Sequence, residues 1–312
     1  MVMNKILVTG GTGMVGKSFQ NVNDDYDFIF VGSNDYDLCN AAETDFMIRD
    51  HDPDAIIHLA ARVGGVHSNS EYIADFFKDN ILINTNVLDA SRKHGIKKVV
   101  SLLSTCVYPD SAKYPLTPDQ FHDGRPHSSN FGYAYAKRMV DVYSRALRQQ
   151  YGCNFICAVP NNLYGLHDNF HLEDGHVIPA IIRKVHNAKL TNKTPIFWGD
   201  GQNLREFTFA SDISRILLFL LENYNEEHPM NIGTTEERSI TSVVDLVCQN
   251  LKYTGPVKWD ETRPSGQFRK PSSNSKLLNL GWKKDEYTTF EKGLKMTCEW
   301  YEQNYPNIRG VK

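Results

Sequence analysis

No run of apolar residues in this sequence approaches the roughly 20 needed to cross a bilayer as a helix. There is no excess of positive charge either. The 34 Lys and Arg stand against 37 Asp and Glu, a net charge of −3, so the chain offers no basic field to a nucleic-acid backbone. The six cysteines (Cys39, Cys106, Cys153, Cys157, Cys248 and Cys298) lack CxxC spacing. They read as reduced thiols and not as a zinc site or a disulfide framework. No signal-peptide pattern, internal repeat or low-complexity segment is visible, and the expectation is a soluble cytoplasmic protein without a metal. An anionic ligand would have to be met by a few local cations.

What is present is a rhythm. Near-continuous apolar strands are predicted at Lys5–Thr9, Phe28–Val31, Ala55–Leu59, Lys98–Leu103 and Asn154–Val159. Amphipathic stretches separate them, the clearest at Glu71–His94 and Tyr133–Tyr151. Strands buried on both faces alternating with helices predict an α/β fold with a Rossmann-type doubly wound parallel sheet, mainly within residues 1–160. After residue 160 a long polar loop breaks the pattern. A helix at Val177–Ala188, short strands near Ile196 and Glu206 and a last helix at Thr289–Tyr305 follow. Residues 161–312 therefore read mainly as a smaller substrate-binding lobe, with some segments returning to the first domain.

Two motifs carry chemistry. "TGGTGMVG" spaces Gly10, Gly13 and Gly16 between a strand and a helix, with Gly11, Thr12, Met14 and Val15 filling the turn. Such a turn lets backbone approach a dinucleotide pyrophosphate at a helix N-terminus. The second strand ends in Gly32-Ser33 where an acid would bind a ribose diol. That favours a 2′-phosphate, hydrogen-bonded by Ser33, and hence NADP(H). Asp37 and Leu38 read as either an adenine-flanking turn or a solvated loop. The second motif, "GYAYAKRMV", places Tyr133 and Lys137 on one helical face and Tyr135 off it. A lysine ammonium beside a phenol, together with an oxidised nicotinamide, favours the phenolate. Upstream, Ser104 and Cys106 stand two apart after the fourth strand, a spacing that points strand residues to one side.

The segments "HLAARVGGV", "STCVYPD", "FGYAYAKRM", "NNLYGLHDNF", "DGHVIPAIIRK" and "LREF" occur in this order. Over Asn4 to about Tyr305 the sequence resembles the extended short-chain dehydrogenase/reductase family. Within it, the likeness is to enzymes that epimerise and reduce a GDP-bound 4-keto sugar. The resemblance implies an NADP(H) cofactor, a GDP-sugar substrate (GDP-4-keto-6-deoxy-D-mannose), 3,5-epimerisation and 4-reduction. It implies Tyr133 as the catalytic tyrosine, Ser104 assisting it, Lys137 on the nicotinamide ribose, and Cys106 with His176 as the acid/base pair for epimerisation. Further cofactor contacts are implied at Leu102, Leu103, Thr105 and His176, and at Pro160, Asn161, Asn162 and Leu163. Substrate contacts are implied at Asn162, Lys184, Trp198, Arg205, Ser265 and Lys270. It also implies a homodimer built on a four-helix bundle from the helices beginning near Glu71 and Tyr133.

The residue types suit that chemistry independently. Protons at C3 and C5 are acidic because both carbons flank the C4 carbonyl. A thiol and an imidazole titrate near neutrality, and an unperturbed thiol is about 3% thiolate at pH 7. Related dehydratases carry Thr-Asp-Glu where Ser104-Thr105-Cys106 stands, and the missing carboxylates argue against water elimination. Relatives often have a basic residue at the position of Thr12 and another after the second strand, so NADPH should be preferred over NADH by a smaller margin here. The ratio of kcat/KM values checks this, and Ser33→Asp should move it toward NADH by repelling the 2′-phosphate. Equal or reversed values for the wild-type protein would refute it.

Overall fold

The computed structural model describes residues 3–22, 25–262 and 267–311; Ser265, expected at the guanine side, lies outside them. Along the first half run β1 (Lys5–Thr9), α1 (Met14–Ser18), β2 (Asp27–Val31), α2 (Ala41–His51), β3 (Ala55–His58), α3 (Val66–Glu71), α4 (Ile73–Lys93), β4 (Lys98–Leu102), α5 (Phe131–Tyr151) and β5 (Phe155–Val159). These strands match the predicted ones to within a residue. The second half holds β6 (Asn162–Tyr164), α6 (Val177–Thr191), β7 (Ile196–Trp198), β8 (Leu204–Phe209), α7 (Ala210–Asn223), β9 (Met230–Asn231), β10 (Glu237–Ser239), α8 (Ile240–Asn250), β11 (Lys258–Asp260), α9 (Ser275–Leu280) and α10 (Phe290–Asn304).

The central sheet is parallel throughout, in the order β2-β1-β3-β4-β5-β9. Its strands are apolar end to end because both faces are covered. On one face Met47, Leu88 and Val140 of α2, α4 and α5 pack on Leu7, Ile56 and Val99. On the other, Ile216 and Leu217 of α7 and Leu277 of α9 pack on Ile6, Val8 and Val100. From β1 the chain turns one way to β2 and then crosses back to β3. That reversal opens a crevice at the carboxyl ends of β1 and β3, where open α/β sheets bind ligands.

A second core lies around β8. There Ile182 of α6, Val244 of α8 and Leu294 and Tyr301 of α10 close on Phe207 and Phe209. Sheet β10-β8-β6 and the pair β11-β7 complete this lobe. Two features differ from the sequence reading. The helix expected from Glu71 starts earlier, at Val66, and breaks at Tyr72, whose φ of −107° and ψ of 43° leave the helical region. Strand β9 was not anticipated, because two residues carry no periodicity; it is paired to β5 and held by the Asn231 side chain, which donates to Leu116 O at 3.0 Å and Ser273 O at 3.1 Å. Among the described residues no helix is long and apolar enough to cross a membrane.

One buried charge ties the layers together. Lys98, 3% exposed at the start of β4, donates from Nζ to Leu220 O (3.0 Å), Tyr224 O (2.6 Å) and Asn225 Oδ1 (3.0 Å) at the end of α7. Burial pushes its pKa down to about 8. Between that value and the ordinary ~10.4 the unfolded chain binds more protons, so this site makes stability rise with pH across the interval. Lys98→Met should lose stability of roughly 1–3 kcal/mol through the orphaned carbonyls. It should also flatten the rise. Urea unfolding of both proteins at pH 7.5 and 10 checks the two effects.

Candidate active site

The crevice widens into a cleft of about 1150 Å³ between the two lobes. Its floor is the glycine turn. Gly10 has φ +69°, and a Cβ there would stand 2.8 Å from the Ala60 amide nitrogen, so only glycine lets β1 and the exit of β3 come this close. Gly13 N donates to Gly10 O at 3.0 Å and α1 begins at Met14 without a side-chain cap. Its first amides are thus left for a ligand's oxygens. Thr12, Met14, Val15 and Gly16 line the cleft, whereas Gly11 lies against β2, its amide donating to Val31 O at 2.8 Å. The cradle fits a dinucleotide. Beyond the end of β2, Asp35 folds back to accept from Gly32 N at 2.7 Å, beside the exposed Ser33.

One wall is made by the end of β4 and the start of α5. Leu102, Leu103, Ser104, Thr105 and Cys106 line it. Ser104 and Cys106 do not get there by strand alternation. β4 stops at Leu102, and Ser104 caps a single 3₁₀ turn, its hydroxyl accepting from Cys106 N at 3.3 Å. Opposite, Tyr133 and Lys137 project from one face of α5 into the cleft. Tyr135 lies beneath the Arg138 guanidinium, 5.3 Å from its ring centre. Lys137 is 2% exposed and donates to Leu102 O at 2.9 Å.

Burial governs titration here. It pushes Lys137 down to about 8. It pushes the Tyr133 phenol upward, and the neighbouring Cys106 thiol adds to the rise. In this setting the phenol holds its proton at neutral pH. Its ring meets Phe76 edge-on at 6.5 Å, and it is not hydrogen-bonded to Ser104.

Behind this wall lies a polar chain that the sequence reading missed. His58 Nδ1 is 2.8 Å from Thr9 Oγ1 and Nε2 is 3.0 Å from Asn84 Oδ1. Burial, helped by the Lys137 charge, pushes His58 down to about 3. A neutral ring donating from Nε2 and accepting at Nδ1 satisfies both partners. Its only sequence signal was its place in "HLAARVGGV".

The facing wall is the loop leading into α6. His176 is the N-cap of α6, with its ring half-exposed to the cleft. Its Nδ1 stands 3.9 Å from Oδ1 of Asp168, which is 4% exposed. That carboxylate raises the His176 pKa against an opposing burial effect. Asp168 was also missed, although it lies within "NNLYGLHDNF", because nothing local pairs it with a histidine eight residues on. Pro160, Asn161, Asn162 and Leu163 line the cleft between the walls, as do Asp37 and Leu38 at its far end.

Towards the second lobe stand the cations. Lys184 donates to Ile196 O at 3.0 Å, with its Nζ 5.7 Å and 5.6 Å from the rings of Phe197 and Trp198. Arg205 donates to Phe268 O at 3.2 Å. Burial lowers the pKa of Lys184, Arg205 and Lys270, the last with Cys106 and Arg205 nearby. None of the three has an ion-pair partner among the described residues, an arrangement that favours an anion between them.

A dinucleotide cradle, with Ser104, Tyr133 and Lys137 gathered at the carboxyl edge of a parallel sheet, defines a dinucleotide-dependent oxidoreductase of the short-chain type. The chain belongs to the NAD dependent epimerase/dehydratase family, whose model matches residues 6–233. It is similar to a GDP-L-fucose synthase of Dictyostelium discoideum, with 40% identity covering 97% of both chains. It is also 33% identical to a GDP-L-colitose synthase of Yersinia pseudotuberculosis, over 95% of this chain and 97% of that one. Among solved structures, a GDP-L-fucose synthetase of Naegleria fowleri bound to NADP superposes with a TM-score of 0.92 at 36% identity, covering 99% of this chain and 97% of that one.

The Asp168 contact favours cationic His176, so the imidazole should titrate above its ordinary ~6.5. The pair's contribution to stability is complete below that value and lost as pH rises through the folded-state pKa. In Asp168→Asn the midpoint, followed by NMR of the ring protons, should fall. An unchanged midpoint would show that Asp168 does not control the imidazole.

Proposed function

We propose that this chain converts GDP-4-keto-6-deoxy-D-mannose to GDP-L-fucose, by 3,5-epimerisation and then NADPH-dependent reduction at C4. The observation that carries the reading is one cleft lined by a thiol, an imidazole and a Tyr–Lys pair, next to three half-buried cations without carboxylate partners among the described residues. The names of its relatives support the same substrate, and the Naegleria structure supports NADP.

In this reading residues 1–160 chiefly hold the dinucleotide. Gly10, Thr12, Gly13, Met14, Val15 and Gly16 cradle its pyrophosphate, Ser33 meets the 2′-phosphate, and Asp37 and Leu38 flank the adenine. Lys137 holds the nicotinamide ribose. Residues 161–312 chiefly hold the sugar nucleotide, with Lys184, Arg205 and Lys270 on its diphosphate, Trp198 and Ser265 at the nucleoside, and Asn162 near the sugar. Bound NADPH supplies the hydride that reaches C4.

The chain's own groups move the protons. Cys106 removes one from C3 or C5 as thiolate, which a serine alkoxide could not do near neutral pH. His176, whose cationic form Asp168 favours, returns a proton to the opposite face. The Tyr133 phenol, protonated in its buried site, donates to the C4 oxygen with Ser104 assisting.

The functional unit in this reading is a cytoplasmic homodimer. Phe77 of α4, and Phe131, Met139 and Val142 of α5, are 36–44% exposed on the packed α4–α5 pair. Such a face suits a four-helix bundle with a second copy. Light scattering should give twice the 35.5 kDa chain mass, and a monomer would exclude the bundle.

Incubation of pure protein, NADPH and GDP-4-keto-6-deoxy-mannose should yield GDP-L-fucose. Recovery of unchanged substrate would overturn the function. In D₂O without NADPH, wild-type protein should wash deuterium into C3 and C5, and Cys106→Ser should nearly abolish this while retaining some 4-keto reduction. Tyr133→Phe should keep the wash-in but lose 4-reduction by on the order of 10²–10⁴, with Tyr135→Phe nearly silent. Damage by Tyr135→Phe in place of Tyr133→Phe would refute the assignment.

A further inference from the structure

Residues 165–175 carry Asp168 and lead directly to His176, yet contain neither helix nor strand. A loop of that length keeps one shape only through ties to its neighbours. One tie is at Asp174, whose carbonyl accepts from Gly65 N at 3.0 Å and whose carboxylate accepts from the Ser68 hydroxyl. The other is at Phe170, whose side chain is fully buried against Trp300 (6.1 Å between ring centres) and Tyr301 (4.7 Å) of α10.

The segment following α10 completes that second tie. Phe170 N donates to Arg309 O at 3.0 Å. Arg183, on the helix that begins at His176, donates from Nη1 to Phe170 O at 3.0 Å and to Gly310 O, and from Nη2 to Val311 O at 3.3 Å. One guanidinium thus joins α6, the Asp168 loop and residues 310 and 311. The fit is at backbone distance. Gly310 has φ +83°, and a Cβ there would clash with Asn169 Oδ1 and the His171 amide nitrogen. Ile308, 5% exposed, is sunk in the second lobe's core and anchors the segment, while Arg309 lines the cleft.

We propose that Arg183 and residues 308–311 position the Asp168–His176 pair for proton transfer, which makes the segment after α10 part of the epimerising apparatus. The proposal rests on the reading of His176 as an acid/base group. Arg183 is a positioning residue. Its planar fork holds three carbonyls in a fixed geometry, two from Nη1 and one from Nη2, where an ammonium on a flexible stem would present a single point charge.

The test uses the full chain with Arg183→Gln, Arg183→Lys and Gly310→Val. Deuterium wash-in at C3 and C5 of GDP-4-keto-6-deoxy-mannose is followed by NMR, NADPH affinity by fluorescence titration, and folding by thermal unfolding. Arg183→Gln and Gly310→Val should each slow wash-in by on the order of 10–100-fold, the scale of a small misplacement of a reacting group. NADPH affinity should stay within about twofold of wild type, and Arg183→Lys should recover part of the rate. Should Arg183→Gln or Gly310→Val fail to fold, the other decides. Wild-type exchange in a folded variant, or NADPH affinity falling in step with exchange, would overturn the brace. If the wild-type protein itself washes in no deuterium, the reading of His176 fails first and the brace falls with it.

Discussion

The contact between the buried Lys137 ammonium and the Leu102 carbonyl, 2.9 Å apart, fixes the relation between α5 and the end of β4. Removing a charge from water is costly unless the group finds hydrogen-bond partners, so the helix cannot slide along the sheet without orphaning it. Tyr133 lies one helical turn before Lys137, and Ser104 two residues beyond Leu102. Both positions follow once that single contact is made. The neutral His58, held between Thr9 and Asn84, lies close enough to feel the same charge and carries the constraint across to β1 and β3.

Much of this was legible in the sequence, for a physical reason. Doubly covered strands such as Ile6–Val8 and Ile156–Val159 need unbroken apolar runs, and the four-residue interval from Tyr133 to Lys137 sets both on one helical face whatever surrounds them. Other features depend on segments far apart in the chain. Asp35 returns to the end of β2, Asp168 approaches His176 through an irregular loop, and Arg183 selects carbonyls from residues 170, 310 and 311. None of these leaves a periodic trace. The burial that raises the Tyr133 pKa is likewise invisible in spacing, from which only neighbouring charge can be read.

The electrostatics of the cleft contrast with those of the whole chain. A slightly acidic protein keeps Lys184, Arg205 and Lys270 partly desolvated and without carboxylate neighbours at ion-pair distance among the described residues. Elsewhere several cations are paired with carboxylates, as Arg62 is with Asp79 at 2.7 Å and Arg215 with Asp212 at 2.6 Å. Uncompensated positive charge beside a concave, low-dielectric region focuses the field there, so an anion is attracted locally although the net charge of the molecule is negative.

Asn161 joins the two lobes at the point where the chain passes from β5 to β6. Its amide nitrogen donates to Thr234 O at 2.6 Å and to Glu206 Oε2 at 3.2 Å, and its oxygen accepts from Thr208 at 2.7 Å. Glu206 in turn accepts from the Ser272 amide at 2.9 Å and hydroxyl at 2.6 Å. Shifting the second lobe's cations relative to the sheet at this crossover would break several of these hydrogen bonds at once, and each buried group left unpaired costs free energy.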